Sequence, residues 1–334
     1  MGEMQQMPLF DFDPDLYPIE VEDEESKLTP QSPLPEAADV YLDDLQFSGA
    51  SIHTVKAFRS DLNLLIFWAG EDKAIGKIAL ADLNRFLHWM LHERDKPCSP
   101  KTYARRVTSL KHFFGYLHEM RYLPDNPAAG VVQKSVTAPL PMILYPDEVE
   151  AALKITENLR KGGKKKPDVR PHFLVNLLLQ TGIKKAECMN LTPDHFDRKH
   201  ADGPFIWIRY DNPRMRYKER KIKIDPILLP LLDEYLRQRR PAHVVFDCTP
   251  RNLEYVLRDV AQIAGYEIRK LSFETLRWTS AVTDYMSDME PDKLRRKMGL
   301  SRISWRETST KLQELAEKID QVSAKKTEKQ EKLV

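Results

Sequence analysis

SIHTVKAFRSDLNLLIFWAG, residues 51–70, is the stretch whose reading decides the fold. It holds no Gly or Pro between Ser51 and Gly70, and Ser51 precedes the run where an N-capping hydroxyl belongs. Leu62, Leu65 and Ile66 recur at three- and four-residue spacing, the period of an amphipathic helix. Working outward, the same spacing returns in Leu83, Phe86, Leu87 and Met90, and Ser99 opens another helix. Pro35 and Glu36 suit a first helical turn and mark where the pattern begins. From there to Gly130, four or five helices fit and no strand does.

Both flanks differ in character. Residues 1–35 are rich in Pro, Asp and Glu without periodicity and read as a disordered acidic tail. Val131–Met142, VVQKSVTAPLPM, reads as a linker. Residues 143–310 mix elements: a helix after Tyr145, a buried one over Pro171–Gln180, another after Gly182, and helices over Pro226–Arg239, Arg251–Ala264 and Phe273–Met286. Phe205–Tyr210 and Lys221–Ile224 are β-rich and flank a basic turn, so a hairpin is predicted. A last helix, Lys311 to Val322, opens a C-terminal segment, 311–334. Its stripe of Leu312, Leu315, Ala316, Ile319 and Val322 packs either on its own domain or on a neighbouring protomer. The chain is therefore expected to be mainly α with a small β-hairpin, an α+β protein of two domains.

Net charge becomes informative once it is divided. Of 52 basic and 50 acidic residues, residues 1–35 hold one and nine. The other 299 residues carry 51 against 41, so an acidic tail hides a basic body, and basic bodies point toward nucleic acid. No apolar run is long enough to span a bilayer, and no secretory leader opens the chain, so a cytoplasmic protein away from membranes is expected. Cys98, Cys188 and Cys248 are scattered singly, without metal or disulfide spacing, and neither a metal nor a cofactor is expected.

Several segments carry a resemblance to a known family. In residues 51–70, Thr54, Asp61, Leu62, Phe67 and Trp68 match the pattern of the core-binding domain of tyrosine recombinases (phage integrases), with Phe58 where a Tyr is usual. SPKTYARRVTSLKHFFGYLHEMRYLPDNPA, residues 99–128, resembles that domain's last helices and closing Asn-Pro. LYPDEVEAAL, from Leu144, looks like the opening of the family's catalytic domain. The TGxRxxE segment is approximated through Thr181, Gly182, Glu187, Leu191 and Asp194, and the HxLRH box through Leu271, Ser272, Leu276 and Arg277. The LGH…Y ending is approximated through Gly299. The resemblance covers residues 36–310. It implies a helical core-binding (SAM-like) domain over 36–130 and a catalytic-type domain over 143–310.

In that family a tyrosine attacks the scissile phosphate, two arginines clamp its oxygens, a hairpin lysine protonates the leaving oxygen, and two histidine-type positions assist. Such chemistry needs a placed nucleophile, an acid and preorganised positive charge. By the resemblance, this chain departs at most of those places. Lys184 replaces the first arginine, a point charge where a planar fork is wanted. Glu274 replaces the box histidine and sets negative charge beside a phosphate, while Arg277 is kept and Trp278 follows it. The later histidine falls at Leu300 and the tyrosine at Ser309, with no tyrosine after Tyr285. The hairpin lysine is Lys218 or Lys221.

Two basic clusters remain. Arg160–Arg170 includes Lys164, Lys165 and Lys166, and the hairpin Arg209–Lys223 includes Arg214, Arg216, Lys218 and Arg220, with Tyr210 and Tyr217 interleaved. Both are expected to meet phosphates, as are Lys101, Arg105, Arg106 and Lys111 in the first domain, with Lys184 and Arg277. The expected function is double-stranded DNA binding in or beside recombination or integration, without cleavage. Two alternatives stand beside it: an active recombinase with an unusual nucleophile, and an accessory protein assembling with itself or with an active recombinase. In the tail, Gln6, Leu9 and Phe10 resemble a peptide that docks on the bacterial sliding clamp.

Overall fold

The computed structural model describes residues 28–132, 139–162, 166–267 and 270–331, and divides the chain into two compact units that meet in sequence at residues 138 and 139. The clamp-like peptide, Lys164, Lys165 and half of the linker, residues 133–138, lie outside the described residues.

Four helices build the first unit: α1 (Leu34–Phe47), α2 (Ile52–Ala69), α3 (Leu80–His92) and α4 (Pro100–Glu119). Ser51 accepts from the Thr54 amide at 3.1 Å, and Ser99 from that of Thr102 at 3.3 Å, so hydroxyls satisfy donors that the first helical turn leaves free. Leu62, Leu65, Leu83, Phe86, Met90, Phe113 and Phe114 form the fully buried core. Two polar residues, Asp61 and Ser109, lie within it. Asp61 is 2% exposed and holds the Ser109 hydroxyl at 2.8 Å, Arg106 at 3.3 Å and the Arg105 guanidinium.

Residues 28–35, assigned to the tail from composition, are instead packed. Leu28 is buried, the Gly76 amide donates to the Pro30 carbonyl at 2.8 Å, Ile75 to Ser32 at 3.0 Å and Leu34 to Lys73 at 3.0 Å. This strap is fastened through its backbone, which leaves no side-chain periodicity to read.

In the second unit, α5 (Pro146–Lys161), α6 (Arg170–Thr181), α7 (Lys185–Met189), α8 (Leu228–Arg239), α9 (Pro250–Ile263) and α10 (Phe273–Met286) surround a small antiparallel sheet. Its strands β1 (Phe196–Asp197), β2 (Phe205–Ile208) and β3 (Arg220–Lys223) run in that order. Ile206 pairs with Ile222 and both turn inward onto the core with Ile208, while Phe205 pairs with Lys223 and Trp207 with Lys221 on the outer face. A short helix, α11 (Pro291–Lys297), precedes α12 (Arg302–Glu331).

Helix α12 starts nine residues before the predicted Lys311, and its backbone crosses the expected boundary at residue 310 without a break. Ser301 accepts from the Ser304 amide at 3.2 Å, and neither Gly nor Pro follows to stop the helix. Its apolar stripe packs on its own unit: Leu312, Leu315, Ala316 and Ile319 bury against Trp278, Ala281, Val282 and Leu294.

Candidate nucleic-acid interface

Helix α6 closes at Gly182, and α7 opens two residues later under a capping box in which the Lys184 amide donates to Glu187 at 2.8 Å. That turn fixes both side chains. Glu187, 5% exposed, takes a two-pronged ion pair from Arg220 at 3.1 and 2.9 Å and a hydrogen bond from the Tyr210 hydroxyl. Burial alone would push the Glu187 carboxyl up, but the Arg220 fork, the Tyr210 hydroxyl and the Lys184 amide draw it down to about 2. Tyr210 moves the other way, to about 12, by burial and by donating to that carboxylate. Burial also lowers the Lys184 ammonium, with Arg277, Lys218 and Arg220 adding to the effect and Glu187 opposing it.

Arg277 stands on α10, 6% exposed, and reaches two backbone carbonyls at 2.5 Å each, those of Gly182 and Met298. One guanidinium thereby ties the α6 turn to the end of α11. Lys184, Glu274 and Arg277 come together on one cleft of about 510 Å³. The exposed Glu274 also accepts from the Trp278 indole at 2.8 Å, so the ring in the family's histidine place is a buried prop.

Neither Leu300 nor Ser309 lines that cleft. The Leu300 side chain joins the apolar cluster under α12. The Ser309 hydroxyl donates to the Arg306 carbonyl of its own helix at 3.0 Å. At Gly299 φ is +59°, and an added Cβ would stand 2.9 Å from the Arg220 guanidinium.

Strand alternation separates the two hairpin lysines. Arg220 points inward and its neighbour Lys221 outward, with its ammonium 4.3 Å above the Trp207 ring. Lys218, half-buried at the end of the hairpin turn, is among the charges acting on Lys184. Arg214 and Arg216 are exposed on the same turn, and Lys166 is exposed beyond α5. In the first unit Lys101 is exposed and Lys111 half-buried, whereas Arg105 and Arg106 are both fastened to Asp61.

Three residues that sequence reasoning passed over line or flank the same cleft. Arg251, Tyr255 and Arg258 follow one face of α9, opposite Leu253, Leu257 and Val260. The Arg251 Nε donates to the Tyr255 hydroxyl at 2.7 Å, and the Arg258 guanidinium lies 4.5 Å over the ring. Their i, i+4, i+7 spacing was the available signal.

The two units, a bundle of four described helices and a helical domain around a short antiparallel sheet, can be compared with known proteins. Residues 38–120 match the phage integrase N-terminal SAM-like domain. The chain is 24% identical over 266 residues to tyrosine recombinase XerD of Vibrio cholerae, covering 75% of this chain and 83% of that one. It is 25% identical over 248 residues to tyrosine recombinase XerC of Anoxybacillus flavithermus, covering 69% and 77%. Among solved structures, the fold is similar to XerH recombinase bound to a palindromic difH substrate (TM-score 0.65, 17% identity, 85% and 83% covered). It is also similar to a lambda integrase dimer bound to a COC′ core site (TM-score 0.64, 13% identity, 84% and 77% covered). These likenesses support the tyrosine recombinase family for this chain. Among the described residues no helix is long and apolar enough to cross a membrane.

Proposed function

We propose that this protein binds double-stranded DNA as a non-cleaving member of its family, acting in or beside recombination or integration. The observation that carries the reading is Ser309, which stands where the family's nucleophile belongs. Its hydroxyl is turned onto its own helix backbone, and among the described residues no side-chain base accepts a hydrogen bond from it. Three further features support it. Arg277 holds two carbonyls, Lys184 offers a point charge in place of a fork, and Glu274 sets a carboxylate at the cleft. Tyr210, though close to these groups, is held protonated and donates to Glu187, the opposite of an activated nucleophile.

DNA contact on this reading rests on Arg251 and Arg258 of α9 at the cleft, on exposed Arg214 and Arg216 and half-buried Lys218 of the hairpin, and, in the first unit taken by itself, on exposed Lys101. Lys218 is the hairpin lysine on the cleft side. Arg220 and Arg106 act indirectly, by holding the frame that presents the others.

A nicked suicide substrate that traps covalent protein–DNA adducts tests the proposal. The wild-type protein and Ser309→Tyr should both leave it uncaptured, since the acid and clamping positions are still altered. A covalent adduct on the wild type, mapped to any residue, overturns the non-cleaving reading and favours a relocated nucleophile.

A further inference from the structure

The outer face of the three-stranded sheet belongs to neither the core nor the cleft. Alternation places Phe205, Trp207 and Arg209 on that face of β2 and its extension, and Lys221 and Lys223 on that face of β3. The register sets each aromatic directly across from a lysine: Phe205 opposite Lys223, Trp207 opposite Lys221. The Trp207 ring has the Lys221 ammonium at 4.3 Å and the Arg209 guanidinium at 5.3 Å, and the edge of His200 meets Phe205 at 4.7 Å. Arg209, Lys221 and Lys223 are exposed, and none of them forms an ion pair with a carboxylate among the described residues. Beside Trp207 a depression of about 390 Å³ is lined also by Asp194, Asp197, Lys199 and Arg209, and on the other side Lys221 and Lys223 share a depression with Glu219 and Asp225.

We infer that this face binds an unpaired DNA strand, with successive bases stacked on Trp207 and Phe205 and their phosphates on Lys221, Lys223 and Arg209. The inference rests on the DNA-binding reading above and adds to it a second substrate form on a different surface. A duplex keeps its bases stacked inside and offers only phosphates and groove edges, for which lysines alone suffice. An aromatic ring beside each lysine gains a partner only when the base is exposed, which is how other sheet faces take single strands. The two rings are two residues apart on one strand, about 6.6 Å along the sheet, a step suited to adjacent nucleotides of an extended strand. Lys221 and Arg209 are long side chains that move off the Trp207 ring toward a phosphate when a base arrives. Strand exchange generates unpaired segments, so such a surface has a use beside a recombination site.

The test is fluorescence anisotropy of the full chain with a labelled oligothymidylate and, separately, a duplex, both at low salt. The wild type should bind both. Trp207→Ala should weaken oligothymidylate binding about tenfold or more, the loss expected for one stacked base, and leave duplex affinity within about twofold. Trp207→Phe keeps a π-face and should restore most of the loss. Lys221→Gln with Lys223→Gln, which leaves the aromatic packing intact, should also weaken the single strand selectively. Duplex binding without oligothymidylate binding overturns this inference and spares the DNA-binding reading. Equal losses for both DNAs, or Trp207→Phe behaving like Trp207→Ala, also overturn it. Absence of binding to either DNA overturns both.

Discussion

Replacing Glu187 with Gln should expose how much one buried carboxylate contributes to the second unit. Glu187 is almost completely buried, carries the Arg220 fork and the Tyr210 hydroxyl, and titrates at about 2 against an ordinary 4.5. That difference corresponds to about 3 kcal/mol at neutral pH, at 1.36 kcal/mol per pKa unit. The folded pKa is depressed, so this contribution is complete above the unfolded value near 4.5 and is lost as pH falls toward 2. At pH 3 about 1 kcal/mol should remain by the same linkage relation. Gln keeps the shape and one acceptor but not the charge, and leaves the Arg220 guanidinium buried without a counterion. For a unit of this size the loss at neutral pH corresponds to a midpoint roughly 10 °C lower. Scanning calorimetry of both proteins at pH 7 and pH 3 reads the effect as a gap between them that narrows on acidification. A gap of equal size at both pH values, or none at pH 7, would refute the assignment of Glu187 as an ionised, Arg220-paired group.

The remaining predictions follow from the same contacts. Duplex affinity should fall steeply with salt, with a logarithmic slope of about 0.9 for each phosphate neutralised, and a flat response across a salt series rejects the DNA-binding reading. Lys218→Ala should weaken the duplex and lower that slope by about one, whereas Lys221→Ala, on the other face of the sheet, should leave both unchanged in the same titration. Asp61→Ala strands Arg106 and Ser109 in the first unit and should destabilise it by about 3–5 kcal/mol, measured by denaturant unfolding; a change under 1 kcal/mol would show that the pairing is incidental. Gly299→Ala must adopt a positive φ and press on Arg220, so it should lose about 1–2 kcal/mol or more by the same measurement.

Much of the fold is legible in the sequence because its signals are local. Ser51 and Ser99 announce their helices one residue ahead, and Leu83, Phe86, Leu87 and Met90 mark a buried stripe by spacing alone. The strap at residues 28–33 was not legible, since backbone bonds to Lys73, Ile75 and Gly76 hold it and leave no side-chain pattern. Strands as short as Phe196–Asp197 carry too few residues for a period to register.

For the candidate site the division follows range. The sequence determined which groups exist: the basic body, and Lys184, Glu274, Arg277, Leu300 and Ser309 at the places where the resemblance implies active-site groups. Only the tertiary structure decided what surrounds each of them. Strand register decided that Arg220 turns inward and Lys221 outward, because one step along β3 reverses the side chain. Asp61 claims Arg105 and Arg106 from forty-odd residues away in the chain, and Glu187 claims Arg220 from thirty-three. Charge is a property of composition, but whether a cation is free to meet a phosphate depends on the carboxylates that folding brings beside it.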